Sequence, residues 1–480
     1  MSRFPRALVF GLIGSFGIAY AVFAKAALHA FPFSGDEYSY LLQAQIFARG
    51  LLHTAALAHP ELLRVDHVVM DSLVRSKYPP GTSALLALGV RAGMPWIVTP
   101  VEGALTLALV WKATQSTLGE RPALVAVLLL GLSPLFFFQS ASFYSHTPAM
   151  MWLAVSFVAL AQWTLDRRSL WLVLVGAALG SAFVTRPLDA LLFGAALLSF
   201  RSLRVVLIAI AGVLPFVALT LAYQNAQFGS PFADGYHLYA ATFPALDGVP
   251  AVGGQLSLRY AVDGAELWNH LDVCRAFLLE WMVPGTAILA LLGWSRLRVD
   301  AKAAPMLRFC LTVIVAFSVV LLLTTVEKDD GARARYLSPT LIPIVWLAGT
   351  GWGVAGDFLR EKVGRRAPAV VGALLGVVAI LEIGAFFDSR VPKQWVREGL
   401  ATAVAKAGVA AGVVIVRAEH PTRYARNGPF FDQPVLYVSS PPSVSVNEVA
   451  AAFPSRPIFL ATEPHGDRWE QLSWQVERLR

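Results

Sequence analysis

Residues 34–40 read SGDEYSY, and residues 76–89 read SKYPPGTSALLALG. The first stretch follows the opening apolar run and sets two adjacent carboxylates, Asp36 and Glu37, beside it. The second carries Lys77 and a Pro-Pro step straight into another apolar run. An acidic pair and a cation on one loop between apolar segments suit chemistry on an anionic lipid headgroup. A carboxylate takes a proton from a hydroxyl, and the cation holds a phosphate.

The composition fits that setting. The 480 residues are 56% hydrophobic and only 15% charged, with mean hydropathy +0.59. A soluble domain carries about 25% charged residues. The shortfall, with repeated long apolar runs, predicts an α-helical polytopic membrane protein. The net charge of +8 does not point to nucleic acid, because the basic residues sit in short loops between apolar segments. Cys274 and Cys310 are predicted on opposite membrane faces, so no disulfide is expected between them. The apolar run from Ala7 to Ala24 exceeds the usual signal-peptide core of about 7–15 residues and reads as an uncleaved first helix.

Eleven spans are expected, near 7–28, 82–111, 122–139, 148–165, 170–185, 188–200, 204–223, 276–294, 309–326, 336–355 and 369–387. Gly93 and Pro95 should break the second, leaving Thr82 to Gly93 as a re-entrant or tilted piece. Every second loop is short and basic: Arg3 and Arg6, Lys112 and Arg121, Arg167 and Arg168, Arg201 and Arg204, Arg296 to Arg308, Arg360 to Arg366. The positive-inside rule makes that side the cytoplasm. The N-terminus is then cytoplasmic, and the large loops 31–81 and 224–275 are extracytoplasmic, as is the C-terminus. The natural location is a bacterial inner membrane. After Phe387 the sequence turns polar. VREGLATAVAKAG and NEVAAAF read as helices, and VVIVRAEH, PVLYVSS, PIFLATE and LSWQVERL read as strands. The division is a membrane domain over 1–388 and a small soluble α/β domain over 389–480.

The candidate residues follow from charge placement. Asp36 and Glu37 repel each other beside a membrane, which favours protonation of one and suits a base for an acceptor hydroxyl; the bland alternative is a solvated loop start. Arg75 and Lys77 would bind a phosphate, or snorkel beside anionic lipid. Arg186, costly near the apolar region, has Asp189 three residues on for an ion pair, or serves as a phosphate clamp. Arg335, in EKDDGARARYLSP, would clamp a phosphate or be neutralised by Glu327, Asp329 and Asp330. Tyr78, His146, Tyr236, His237 and Tyr336 are candidates to line a substrate. His53, His59 and His67 read as polar loop residues, since no pair has the i, i+4 spacing of a helical metal site. A divalent metal, Mg or Mn, would fall to Asp36 and Glu37, with one histidine as a further ligand.

The order of these pieces resembles the GT-C class of membrane glycosyltransferases. It is most similar to the lineage of protein mannosyltransferases, lipid A aminoarabinose transferases and RgtA-like enzymes. The carrying motifs are Asp36-Glu37, K-Y-P-P at Lys77 to Pro80, T-R-P at Thr185 to Pro187, N-x-x-F-G-S-P at Asn225 to Pro231, and A-R-Y-L-S-P at Ala334 to Pro339. The resemblance covers about residues 1–390. It implies a GT-C fold and inverting transfer of a sugar from a polyprenyl-phosphate donor to a glycan, lipid or protein acceptor. Asp36 would be the catalytic acid, with Lys77 and Arg335 as phosphate contacts. The next loop, SASFYSHTP, lacks the second acid some GT-C enzymes carry and offers His146 instead. Two other readings stand beside this one, a flippase of lipid-linked sugars and an O-antigen-type ligase or polymerase. The former predicts ionisable groups at mid-membrane depth, and the latter puts its key residues in a late loop.

Overall fold

A computed structural model describes residues 5–32, 34–242, 264–323, 332–418, 421–439, 444–463 and 474–479. The chain divides into two compact units. The first comprises residues 1–24, 99–220 and 256–387; the second comprises 25–98, 221–255 and 388–480.

The first unit is helical. Over the whole chain, six described helices are long and apolar enough to cross a membrane: Arg6–Ala26, His146–Asp166, Leu203–Phe228, Ala304–Leu323, Ala334–Lys362 and Ala367–Asp388. Glu120–Gly131 and Pro134–Ala141 make a seventh if the pair, bent by 65°, is one broken span. Ser169–Thr185, Pro187–Phe200 and Thr286–Leu297 are shorter apolar helices. The expected eleven spans are therefore fewer long helices and more pieces. The expected span 276–294 is interrupted: one helix ends at Leu279 and the next starts at Thr286. Pro284 and Gly285 lie in the break, and Gly285 has φ +81°. Helix Thr286–Leu297 packs closely on Leu341–Lys362, because each presents a glycine. A Cβ on Gly351 would lie 1.8 Å from the Leu289 carbonyl oxygen, and one on Gly293 would lie 1.9 Å from that of Leu347. Without a hydrophobic drive between helices in lipid, small residues that let backbones approach set such pairs.

The second unit holds both sheets. The expected break at Gly93 and Pro95 is present. Helix Pro80–Arg91 ends there, and Val98–Leu118 starts after a 3-10 turn at Pro95–Ile97. Twelve residues make a helix about 18 Å long, short of a roughly 30 Å hydrocarbon core. This helix packs against Gly35–Ala48.

Strands β1 (Thr54–Ala55), β2 (Val68–Met70) and β3 (Leu73–Ser76) form an antiparallel sheet in the order β1-β3-β2. Strands β4 (Gly412–Arg417), β5 (Val435–Val438), β6 (Ile458–Thr462) and β7 (Gln475–Arg478) form the second sheet, ordered β5-β4-β6-β7. Its β4-β5 and β4-β6 pairs are parallel and β6-β7 is antiparallel. All four fall where the sequence places strands. Helix Ala367–Lys406 runs unbroken through the compositional change at 388. One face of the second sheet shares a core with the first large loop: Leu42, Ile46, Leu63, Val65 and Val74 are buried with Val413, Leu436, Val438 and Ile458.

Candidate functional site

The sequence-read residues gather into two clusters, one within each unit. The cluster in the second unit starts at helix Gly35–Ala48. Its N-cap is Ser34, in extended backbone, and a capping box closes it. The Ser34 N–H donates to Glu37 Oε2 at 2.7 Å, and the Glu37 N–H donates to Ser34 Oγ at 3.3 Å. This reciprocal pairing satisfies two otherwise orphaned donors. Glu37 is completely buried in that role. The adjacent carboxylates thus have different employments: Glu37 closes the cap, and Asp36 faces Tyr78 and His67. Asp36 Oδ1 accepts from the Tyr78 hydroxyl at 2.5 Å and lies 3.0 Å from His67 Nε2.

Hairpin β2-β3 delivers the cation. Lys77 follows β3 directly, and its N–H donates to the His67 carbonyl oxygen at 3.3 Å. Its side chain is 3% exposed and enclosed by tyrosines. The ammonium lies 4.5 Å from the Tyr239 ring and 5.2 Å from each of the Tyr78 and Tyr236 rings. Such cation–π packing holds an ammonium where water is scarce. Burial pulls the Lys77 pKa down to about 8, against the opposing charges of Asp36 and Asp66. Burial likewise pushes the Tyr78 hydroxyl well up, and the Asp36 charge adds to the shift. Tyr78 therefore stays a proton donor to Asp36 throughout the neutral range. Arg75, expected to bind phosphate, is instead committed to Asp71. Its Nη1 and Nη2 donate to Oδ1 and Oδ2 at 3.0 and 2.8 Å, a bidentate pair that fastens the hairpin turn.

The loop after Leu203–Phe228 completes this cluster. Asp234 caps helix Gly235–Thr242, accepting from the His237 N–H at 2.8 Å, and its other oxygen lies 2.7 Å from His237 Nδ1. His237 is thereby the residue that Asp234 caps, and its ring is largely exposed. Tyr236 meets the Tyr78 ring edge-on at 5.6 Å. Gly235 is dictated by closeness: a Cβ there would lie 2.3 Å from the Lys77 carbonyl oxygen.

The cluster in the first unit centres on Tyr336. Arg186 Nε donates to Asp189 Oδ2 at 2.6 Å, the ion pair its spacing predicts, and Nη1 donates to Ser145 Oγ at 3.1 Å. The Arg186 guanidinium lies 5.8 Å from the Tyr336 ring, and that of Arg335 lies 5.4 Å from the Tyr336 and Tyr144 rings. The His146 ring meets Tyr144 edge-on at 5.7 Å and lies tilted to Tyr336 at 6.2 Å. Glu327, Asp329 and Asp330 lie outside the described residues.

One oxygen of each acid is already engaged. Glu37 Oε2 is held by the Ser34 N–H, and Asp36 Oδ1 by Tyr78 and His67. Among the described residues no group of three or more His, Cys, Asp or Glu side chains is placed to hold one. Three members of the site escape the sequence reading: His67, Asp66 and Tyr239. The available signal was the Asp66-His67 step, two polar residues directly ahead of strand β2 on the loop that carries Asp36.

Residues 83–223 match the family model described as dolichyl-phosphate-mannose-protein mannosyltransferase. The match begins after Lys77, so Asp36 and Lys77 stand outside it. No curated protein matches the chain. Among solved structures, ArnT from Cupriavidus metallidurans bound to undecaprenyl phosphate superposes with TM-score 0.57 at 14% identity, covering 98% of both chains. Its apo state gives TM-score 0.56 at 14% identity, over 95% of this chain and 93% of that one. The Archaeoglobus fulgidus oligosaccharyltransferase in complex with Zn and sulfate gives TM-score 0.51 at 11% identity, over 95% and 68%. Likeness along nearly the whole of both ArnT structures shows that this chain has the fold of the GT-C class of membrane glycosyltransferases, the class its motifs resemble.

Proposed function

We propose that the chain transfers a sugar from a polyprenyl-phosphate donor to an acceptor hydroxyl on the extracytoplasmic face of a bacterial inner membrane. The acceptor class is cell-envelope glycan, glycolipid or glycoprotein. One observation carries the reading: Asp36 and Lys77 share a tyrosine-lined cluster in which the carboxylate field acts on a buried ammonium. A base and a phosphate-binding cation are the two groups the reaction needs. The GT-C fold and the undecaprenyl phosphate in the ArnT structure support the lipid-linked donor.

In the proposed step the acceptor oxygen forms a bond to the anomeric carbon as the bond from that carbon to the phosphate oxygen breaks. The acceptor proton passes to Asp36. The electron pair of the broken bond leaves with polyprenyl phosphate, whose charge meets Lys77. A single displacement of this kind inverts the anomeric configuration. Arg186 and Arg335, gathered at Tyr336, are the further candidate phosphate contacts. Glu37 is assigned to holding the helix that carries Asp36, and residues 389–480 to a soluble α/β domain following the membrane part.

The test is donor consumption by the purified chain in nanodiscs, offered undecaprenyl-phosphate hexoses and pentoses in turn. The parent should consume one of them. Asp36→Asn should lose about 10²–10⁴-fold in turnover with an unchanged melting temperature. Turnover retained in a folded Asp36→Asn protein would remove Asp36 from the chemistry and sink this reading.

A further inference from the structure

We propose that His67 is a positioning residue for Asp36, acting through Nε2 as a hydrogen-bond donor that fixes the plane of the catalytic carboxylate. The inference rests on the function proposed above and assigns a second residue to it.

The backbone speaks first. His67 sits at φ +64°, a region that non-glycine residues rarely adopt. The turn does not need a histidine. It is held by the His67 carbonyl oxygen, which accepts from Ser39 Oγ at 2.7 Å and from the Lys77 N–H at 3.3 Å. Glycine would make the same bonds without strain. A strained residue kept where the backbone favours glycine points to a use for its side chain.

The side chain has one. Nε2 lies 3.0 Å from Asp36 Oδ1, the oxygen that also receives the Tyr78 hydroxyl. The imidazole lies between the Tyr78 and Tyr239 rings, with centroids 5.8 and 5.9 Å away. Gly35 makes room for it: a Cβ there would lie 3.0 Å from His67 Cδ2 and 2.8 Å from Asp66 Cβ. Nδ1 is buried and has no hydrogen-bond partner. A proton there would be a buried, unsatisfied donor, so the proton belongs on Nε2, aimed at the carboxylate. Two donors on Oδ1 then hold Asp36 in one orientation toward the acceptor hydroxyl.

The experiment compares the parent, His67→Gly, His67→Gln and Asp36→Asn in nanodiscs, with the undecaprenyl-phosphate sugar the parent consumes. His67→Gly suits the φ of the turn and should fold. It should lose about a hundred-fold in kcat with KM little changed, the mark of a misplaced base rather than a lost binding site. His67→Gln restores an N–H donor and should return kcat to within about tenfold of the parent. Parent-like kcat in His67→Gly, with Asp36→Asn inactive, overturns the positioning role alone. Parent-like kcat in both overturns the function proposed above. Nitrogen-15 NMR of histidine-labelled chain at pH 8 adds a readout free of substrate. A proton on Nε2 of His67, assigned by comparison with the spectrum of His67→Gln, is expected; an imidazole protonated on Nδ1 alone overturns the inference.

Discussion

At the scale of single residues, neighbouring side chains of one chemical type part company. Asp36 and Glu37 are adjacent in sequence, yet Glu37 closes a helix cap and Asp36 faces His67 and Tyr78. Arg75 and Lys77 are two apart, yet Arg75 is spent on Asp71 and Lys77 enters the tyrosine cage. Charge pattern alone read both members of each pair as functional, because spacing does not show which side chain finds a local partner. The Lys77 environment makes a pH prediction. Burial lowers its pKa from 10.5 to about 8, so the ammonium is present below that value and lost as pH rises through it. An anionic phosphate binds only the charged form. Affinity of the chain for undecaprenyl phosphate should therefore be flat from pH 6 to 7 and fall above about 8, approaching tenfold per pH unit. Lys77→Arg keeps its charge across that range and should show no such fall. Stability carries the opposite sign: between about 8 and 10.5 the unfolded chain binds the extra proton, so this group favours the fold as pH rises. A parent affinity unchanged between pH 7 and 9.5 would remove Lys77 from the phosphate site.

At the scale of elements, hydropathy located the apolar material better than it located the breaks. It gave the interruption at Gly93 and Pro95, where glycine and proline stand in a polar-flanked gap, and helix Pro80–Arg91 ends there. It missed the one at Pro284 and Gly285, where Trp281, Met282 and Val283 keep the sequence apolar through the break. The four strands of the second sheet were legible because short β-branched runs between polar turns have few other readings. Long-range glycine contacts were not, since nothing local marks a glycine chosen for what lies against it. Gly235 is such a case, with the Lys77 backbone where a Cβ would stand. Gly235→Ala must move either helix Gly235–Thr242 or the Lys77 peptide, and with them the Tyr236 and Tyr239 walls of the ammonium cage. We expect undecaprenyl phosphate to bind about tenfold more weakly to Gly235→Ala, and destabilisation of about 1–3 kcal/mol from overpacking. Titration and thermal unfolding of the same nanodisc sample measure the two effects. A parent affinity in this variant would mean that Lys77 and its cage tolerate displacement, contrary to a phosphate site built at that spot.

At the scale of the whole molecule, the change of composition after Phe387 suggested an appendage, and the packing within the second unit gives that region a structural task. The segment carrying Asp36 and Lys77 shares its core with the C-terminal residues. Leu42, Ile46, Leu63 and Val65 are covered by Val413, Leu436, Val438 and Ile458 from the second sheet. Polar ties accompany the core. The Thr422 hydroxyl donates to Asp66 Oδ1 at 2.5 Å, the Ser439 N–H donates to the Leu62 carbonyl oxygen at 3.0 Å, and the Tyr38 hydroxyl donates to the Asn427 carbonyl oxygen. Asp66 precedes His67 and acts electrostatically on Lys77, so these bonds reach the candidate site. Hydropathy cannot report such sharing, because the residues are close only once both segments are folded. The two segments therefore belong to one compact unit, and we expect them to unfold together. Leu436 is buried at 1% exposure in the shared core, and Leu436→Ala should destabilise that unit by about 2–5 kcal/mol. Because the mutated side chain belongs to the shared core and not to the rings around the Lys77 ammonium, undecaprenyl phosphate binding should be intact at low temperature and disappear, on warming, at the temperature where the second sheet melts. Circular dichroism following the strands, recorded beside lipid binding across the same range, tests the coupling. Binding that survives after the strands have melted would show that the loop holds its site without the C-terminal sheet.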